Sequence, residues 1–141
     1  ILNGPLIAAH LGEAYGLAGR TEEAIAALRH SLELAQRHEQ RGTEAWALLL
    51  MGNVYAFRSP PDAGAAQEYY TKAMARTKEL EMRPLEAQCH FRLGQLAQKA
   101  GKKEDARQQL SMAVSMFREM GMRFWLEQAE TALGPSHGNP S

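Results

Sequence analysis

Several residue types are scarce in this chain, and each scarcity removes a class of protein. A single cysteine, Cys89, among 141 residues leaves no partner for an internal disulfide and no set of thiolates for a zinc cluster. Valine and isoleucine together occur five times, against 23 alanines and 17 leucines, a mixture that favours helices over sheets. No apolar run approaches the roughly 20 residues needed to span a bilayer, so no membrane partner is expected. Neither charge sign is in excess. Sixteen Lys+Arg balance 16 Asp+Glu, whereas nucleic-acid-binding domains usually carry a basic surplus, so no nucleic-acid partner is expected either. No Gly-Lys-Ser/Thr occurs, and Gly12, Gly16 and Gly19 are spaced wrongly for a phosphate-cradling loop. The start resembles no signal peptide, which predicts a reducing, cytoplasmic setting. It is Ile1 rather than Met, which predicts a piece of a longer chain.

What is present is a repeat. Leu11-Gly12-x-x-Tyr15 is followed by Gly19 and by Ala24-x3-Leu28-x2-Ser31. Met51-Gly52-x-x-Tyr55 is followed by Ala66-x3-Tyr70-x2-Ala73. Leu93-Gly94-x-x-Ala97 is followed by Gly101 and by Ala106-x3-Leu110-x2-Ala113. The glycines Gly12, Gly52 and Gly94 are 40 and 42 residues apart, and the alanines Ala24, Ala66 and Ala106 are 42 and 40 apart. The two extra residues of the second copy fall around Ser59-Pro60-Pro61-Asp62. A partial fourth copy repeats Met82-Arg83 as Met122-Arg123 and Leu93-Gly94 as Leu133-Gly134. A solenoid over 1–133 and a disordered tail over 134–141, rich in chain breakers, are expected.

Each copy reads as two antiparallel helices. Gly19 and Gly101 suit the left-handed residue that ends a helix. Thr21 is placed to cap the next helix, with Glu22 and Glu23 in its first turn. The pattern predicts helices near 4–17, 21–40, 43–57, 62–80, 84–99, 103–119 and 123–133. A glycine inside a helix costs about 0.8–1 kcal/mol against alanine. Three of them in one register therefore point to a steric need, a close helix crossing packed by Leu28, Tyr70 and Leu110. Met112 and Met116, four apart, read as a core stripe.

Catalytic and metal readings find little support. Cys89 and His90 are adjacent on a helix and point about 100° apart, so they do not converge on one atom. His30 and His38 are too far apart to chelate one ion, and His10 and His137 have no evident ligand partners. No enzyme activity, metal or cofactor is expected.

The whole pattern over residues 5–133 resembles the tetratricopeptide repeat, a helix–turn–helix unit. The resemblance implies an all-α, right-handed α-solenoid of three such pairs plus a C-terminal capping helix. Two features depart from the family: Ala8, Leu48 and His90 replace an early aromatic, and the period exceeds the usual 34 or so. The additional residues should lengthen the second helix of each pair, as at Arg37-His38-Glu39-Gln40. Leu80 to Leu133, with Cys89-His90, Leu93-Gly94 and Met120-Gly121-Met122-Arg123-Phe124-Trp125-Leu126, also resembles the C-terminal repeat region of large bacterial signalling ATPases linked to cyclase or DNA-binding domains.

The family resemblance implies a concave face lined by the first helix of each pair. Transferred residue by residue, that face takes Leu6, Ala9, His10 and Glu13, then Trp46, Leu49, Leu50, Asn53 and Phe57, then Gln88, Phe91, Arg92 and Gln95. Asn53 stands where family members often bind a peptide backbone, and Arg92 suits a carboxylate. Leu49 replaces the first lysine of the family's clamp for a peptide C-terminus, which argues against that ligand. The resemblance implies a non-catalytic protein–protein interaction module holding a protein or peptide partner, or another domain of the same chain. Two alternatives stay open. One is homodimerisation through Leu2, Leu6 and Ile7 at one end or Phe124 and Trp125 at the other, unless the latter seal the stack. The other is a small-effector sensor controlling an upstream ATPase.

Overall fold

Helix starts and stops in this chain are set by a few backbone devices. The computed structural model describes residues 3–134. The tail from residue 135 onward and Leu2 of the expected self-association face lie outside the described residues. Seven helices occur among the described residues, with no strand: α1 (Gly4–Leu17), α2 (Thr21–Arg37), α3 (Arg41–Phe57), α4 (Ala63–Glu79), α5 (Arg83–Lys99), α6 (Lys103–Met120) and α7 (Arg123–Leu133). The fold class is therefore the expected all-α helical repeat. Two compact units divide the chain, Ile1–Met82 holding α1 to α4 and Arg83–Ser141 holding α5 to α7.

The stops share one hydrogen-bond pattern. At the end of α1, Gly19 N–H donates to the Gly16 carbonyl at 3.1 Å and Arg20 N–H to the Tyr15 carbonyl at 2.9 Å. The same pair of bonds closes α2 through Glu39 and Gln40, α4 through Glu81 and Met82, and α5 through Gly101 and Lys102. These bonds satisfy carbonyls that the helix end leaves open, and they need one residue with positive φ. Glycine supplies it at Gly101, φ 77°, but glutamate is forced into it at Glu39 and Glu81, both φ 55°. The expectation that α2 runs on through Gln40 is corrected here: the helix ends at Arg37, and His38-Glu39-Gln40 form the turn. Nor are the extra residues confined to second helices, since α3 and α4 have 17 residues each.

Starts are less uniform. Asn3 Oδ1 accepts from Leu6 N–H at 3.1 Å and Asp62 Oδ1 from Ala65 N–H at 3.0 Å, so side chains cap α1 and α4. Thr21 does not cap α2. The helix begins at Thr21 itself, after Arg20, with no side-chain cap bond. The turn that ends α1 delivers the chain directly into the next helix, so no room remains for a separate cap residue.

Within each pair the glycines do what their register implies. A Cβ on Gly12 would lie 2.5 Å from Leu28 Cγ, one on Gly52 2.5 Å from Tyr70 Cδ1, and one on Gly94 2.6 Å from Leu110 Cγ. All three partners are buried. In the first unit, Ala9, Ala24, Ile25, Leu28, Leu50, Met51 and Val54 form one apolar cluster across α1, α2 and α3. In the second, Ala87, Phe91, Leu110, Ala113, Val114, Met116, Phe117 and Ala129 form another across α5, α6 and α7. Met116 is in that core, but Met112 is exposed, so the expected stripe of both is corrected. The buried face of α6 is Ala106, Leu110, Ala113, Val114, Met116 and Phe117, and Met112 lies beyond its edge.

Two stability outcomes follow from these contacts. Gly52→Ala adds about 1 kcal/mol of helix propensity, yet should destabilise by roughly 1–3 kcal/mol through overpacking against Tyr70. Glu39→Gly should stabilise by about 0.5–1 kcal/mol, because it removes a side chain from a left-handed residue and a negative charge from a helix C-terminus. Urea unfolding followed by circular dichroism measures both, and the two shifts should have opposite sign.

Candidate functional site

The residues expected to line a binding face fall into the two units, and each group is taken by itself. In the first unit, Leu6, His10 and Glu13 recur on one side of α1 at helical spacing, and Trp46, Asn53 and Phe57 do so on α3. His10 and Trp46 meet across the two helices, with ring centroids 4.8 Å apart and planes 66° from parallel. Leu6, His10 and Phe57 are exposed, while Glu13, Trp46 and Asn53 are half-buried. Together they make a strip of apolar and aromatic surface in which Glu13 is the one charged member.

Asn53 is held from below. The Tyr70 hydroxyl donates to Asn53 Oδ1 at 2.6 Å, reaching from α4 past the Gly52 crossing. That bond orients the carboxamide with its oxygen inward and its NH2 outward, the arrangement needed to donate to a carbonyl of a bound chain. Leu49 and Leu50 are different. Leu49 is 1% exposed, and Leu50, a member of the first core cluster, is 5% exposed. They support the strip from behind, and neither offers a partner any appreciable surface. Ala9 is likewise buried.

In the second unit, α5 carries Gln88, Phe91, Arg92 and Gln95. Phe91 is buried in the core cluster. Arg92 Nη1 donates to Gln95 Oε1 at 3.0 Å, and its guanidinium lies 5.3 Å from the Phe91 ring centroid and 5.7 Å from that of Trp125. Arg92 is thus engaged within its own unit, against the rings that end it. Gln88 is half-buried. Cys89 and His90 are buried; His90 Nδ1 is 2.7 Å from Gln109 Oε1 and Nε2 is 3.5 Å from Glu86 Oε2. Among the described residues no group of three or more His, Cys, Asp or Glu side chains is placed to hold a metal ion.

The proposed self-association residues also separate. Leu6, Ile7 and Phe124 are exposed. Trp125 is half-buried: it stacks on Phe117 at 5.9 Å and meets Phe91 and Phe124 edge-on at 6.0 and 5.8 Å. It joins α7 to α5 and α6, as does the bond from Gln98 Nε2 to the Ala132 carbonyl at 2.6 Å. Sequence reading missed Tyr70 as a site residue, although its place in the Leu28/Tyr70/Leu110 register, with a hydroxyl where the others have none, was a usable signal. It also missed Leu11, about half exposed like Ile7. Trp125→Ala should cost roughly 3 kcal/mol and loosen α7, whereas Phe124→Ala, 66% exposed, should cost under about 0.5 kcal/mol. Amide exchange of α7 in the two variants checks this difference.

No curated protein matches the chain. The family model described as tetratricopeptide repeat matches residues 7–38. That stretch is α1 and α2 with the turn between them, the first helix pair and the one that carries His10 and Glu13, so the chain contains a tetratricopeptide repeat there.

Proposed function

We infer that the α1–α3 strip of the first unit holds a segment of a protein partner. Tetratricopeptide repeats generally mediate protein–protein interaction and are typically non-catalytic. The observation that carries the reading is the His10–Trp46 contact, flanked by Leu6, Phe57, Glu13 and the oriented Asn53. An aromatic pair on a rigid helical base supplies contact area at small entropic cost, and polar groups beside it fix orientation. Asn53 donates to a main-chain carbonyl of the partner, and Glu13 takes a basic side chain. Leu49 and Leu50 keep the strip flat and dry from beneath. The wider setting, a regulatory segment of a larger bacterial signalling protein, rests on the resemblance of Leu80 to Leu133 alone.

Peptides selected from a random library on this chain test the reading. Those that bind here should lose about tenfold or more in affinity with Trp46→Ala, and less with Asn53→Ala. Phe124→Ala, in the other unit, should leave affinity unchanged. Binders insensitive to Trp46→Ala and His10→Ala would place recognition elsewhere and defeat the proposal.

A further inference from the structure

Carboxylates in this chain divide by what faces them. Glu44, Asp62, Glu86 and Glu130 are at least half-buried, and each meets a basic side chain: Arg76 at 3.6 Å, Arg58 at 3.8 Å, His90 at 3.5 Å and Arg118 at 2.9 Å. Acids without such a partner, Glu33 and Asp105 among them, are exposed. Among the described residues, Glu13 alone is a half-buried carboxylate that no basic group faces. Its place is equally particular. Leu6, His10, Glu13 and Leu17 follow at steps of four, three and four along α1, and Trp46, Asn53 and Phe57 hold matching positions on α3. Leu17 and Phe57 are 86% and 56% exposed. The strip therefore offers apolar surface toward both ends, at His10 and Trp46 and again at Leu17 and Phe57, with Glu13 between.

We propose that Glu13 makes the strip selective for an extended segment with a lysine or arginine at its centre, flanked two positions before and two positions after by apolar residues. This rests on the reading of the strip as a partner site and specifies the partner's chemistry. Spacing sets the pattern. At about 1.5 Å per helical residue, the two apolar ends are about 10 Å apart counted from His10 to Leu17, and about 16 Å counted from Trp46 to Phe57. Four steps of extended chain cover about 13 Å, and every second side chain points the same way. The first, third and fifth side chains of such a segment thus reach one apolar end, Glu13 and the other apolar end. A helical segment does not suit, because its carbonyls are bonded within the helix and leave Asn53 none to bind. The central choice follows from desolvation. A neutral side chain laid over Glu13 strips water from a carboxylate and returns nothing, and an acidic one adds repulsion. Lysine or arginine gives a charge-assisted bond in a drier setting. Glu13 acts as much by rejecting the wrong residue as by holding the right one.

Selection of displayed random peptides on this chain and on Glu13→Lys tests the proposal, with Trp46→Ala identifying the binders that use the strip. Strip-dependent binders of this chain should carry lysine or arginine at the centre of the apolar–x–basic–x–apolar pattern. Exchanging that residue for glutamine, or moving it by one position, should cost about tenfold or more in affinity. Glu13→Gln should lose as much and no longer distinguish lysine from glutamine, with helicity by circular dichroism unchanged. Peptides selected on Glu13→Lys should carry an acidic residue at the centre instead. Strip-dependent binders with no basic excess, with a basic residue that can be moved freely, or with full affinity for Glu13→Gln overturn the proposal while the strip remains a partner site. An absence of Trp46-sensitive binders defeats both readings together.

Discussion

The distance between the two helices of a pair controls most of what this structure does. At Gly12, Gly52 and Gly94 a single added carbon would sit 2.5–2.6 Å from a buried side chain of the facing helix. Each pair is therefore closed to the limit that a hydrogen atom allows. Leu28, Tyr70 and Leu110 lie across the crossings and are almost fully buried there. Because the crossing comes at the same register each time, the flanks of each first helix are assigned by position. In the first unit the flank of α3 that bears Met51 turns toward the α1–α2 pair, and the side that bears Phe57 stays exposed. A mid-helix glycine is unfavourable by about 0.8–1 kcal/mol against alanine, which the tighter burial around it offsets.

That constraint also explains how packing reaches the α1–α3 strip. In the second pair the crossing residue is Tyr70 rather than leucine. Its ring fills the space over Gly52, and its hydroxyl emerges beside the next residue, Asn53, to form the 2.6 Å bond. One side chain thus closes the helix pair and sets the direction of a polar group on the outer face. Surface ion pairs play a smaller part. Arg41 with Glu79 and Arg83 with Glu119 link the open ends of their helix pairs at matching positions, but all four side chains are about half exposed or more. Such pairs contribute about 0–1 kcal/mol each. They mark the repeat more than they hold it.

Helix spans were legible in the sequence because glycine, proline and the repeat register agree about where turns fall. The clearest miss shows why. The end of α2 depends on Glu39 taking a left-handed conformation, and glutamate gives no sign of that, whereas Gly101 does so at the equivalent kind of turn. Thr21 looked like a cap from its type and from the acids after it. The turn through Gly19 and Arg20 consumes the residues a cap would need. Site residues were legible as a face and not as exposed surface. Register places Leu49 and Leu50 on the same helix as Trp46 and Asn53, but only the packing of α1, α2 and α3 decides that the leucines are covered and Trp46 is half open. Trp125 was equally ambiguous. Its packing depends on Phe91 and Phe117, which the chain brings from two other helices.

The first and third helices show how one design can serve two purposes. Both are first members of a pair, both have the crossing glycine, and both have few charges. In α3 the flank bearing Met51 is closed by the preceding pair, and the strip bearing Trp46 and Asn53 is only half covered. In α1 both flanks remain, and their chemistry differs. Leu6, His10 and Glu13 combine apolar, aromatic and charged character, which suits a specific partner segment. Ile7, Leu11 and Ala14 have no polar group at all, which suits the featureless, close-packed contact between repeats. The division follows from helical geometry, since residues at adjacent positions point about 100° apart. A one-residue shift between Leu6 and Ile7 thus separates two faces of different chemistry on the same helix.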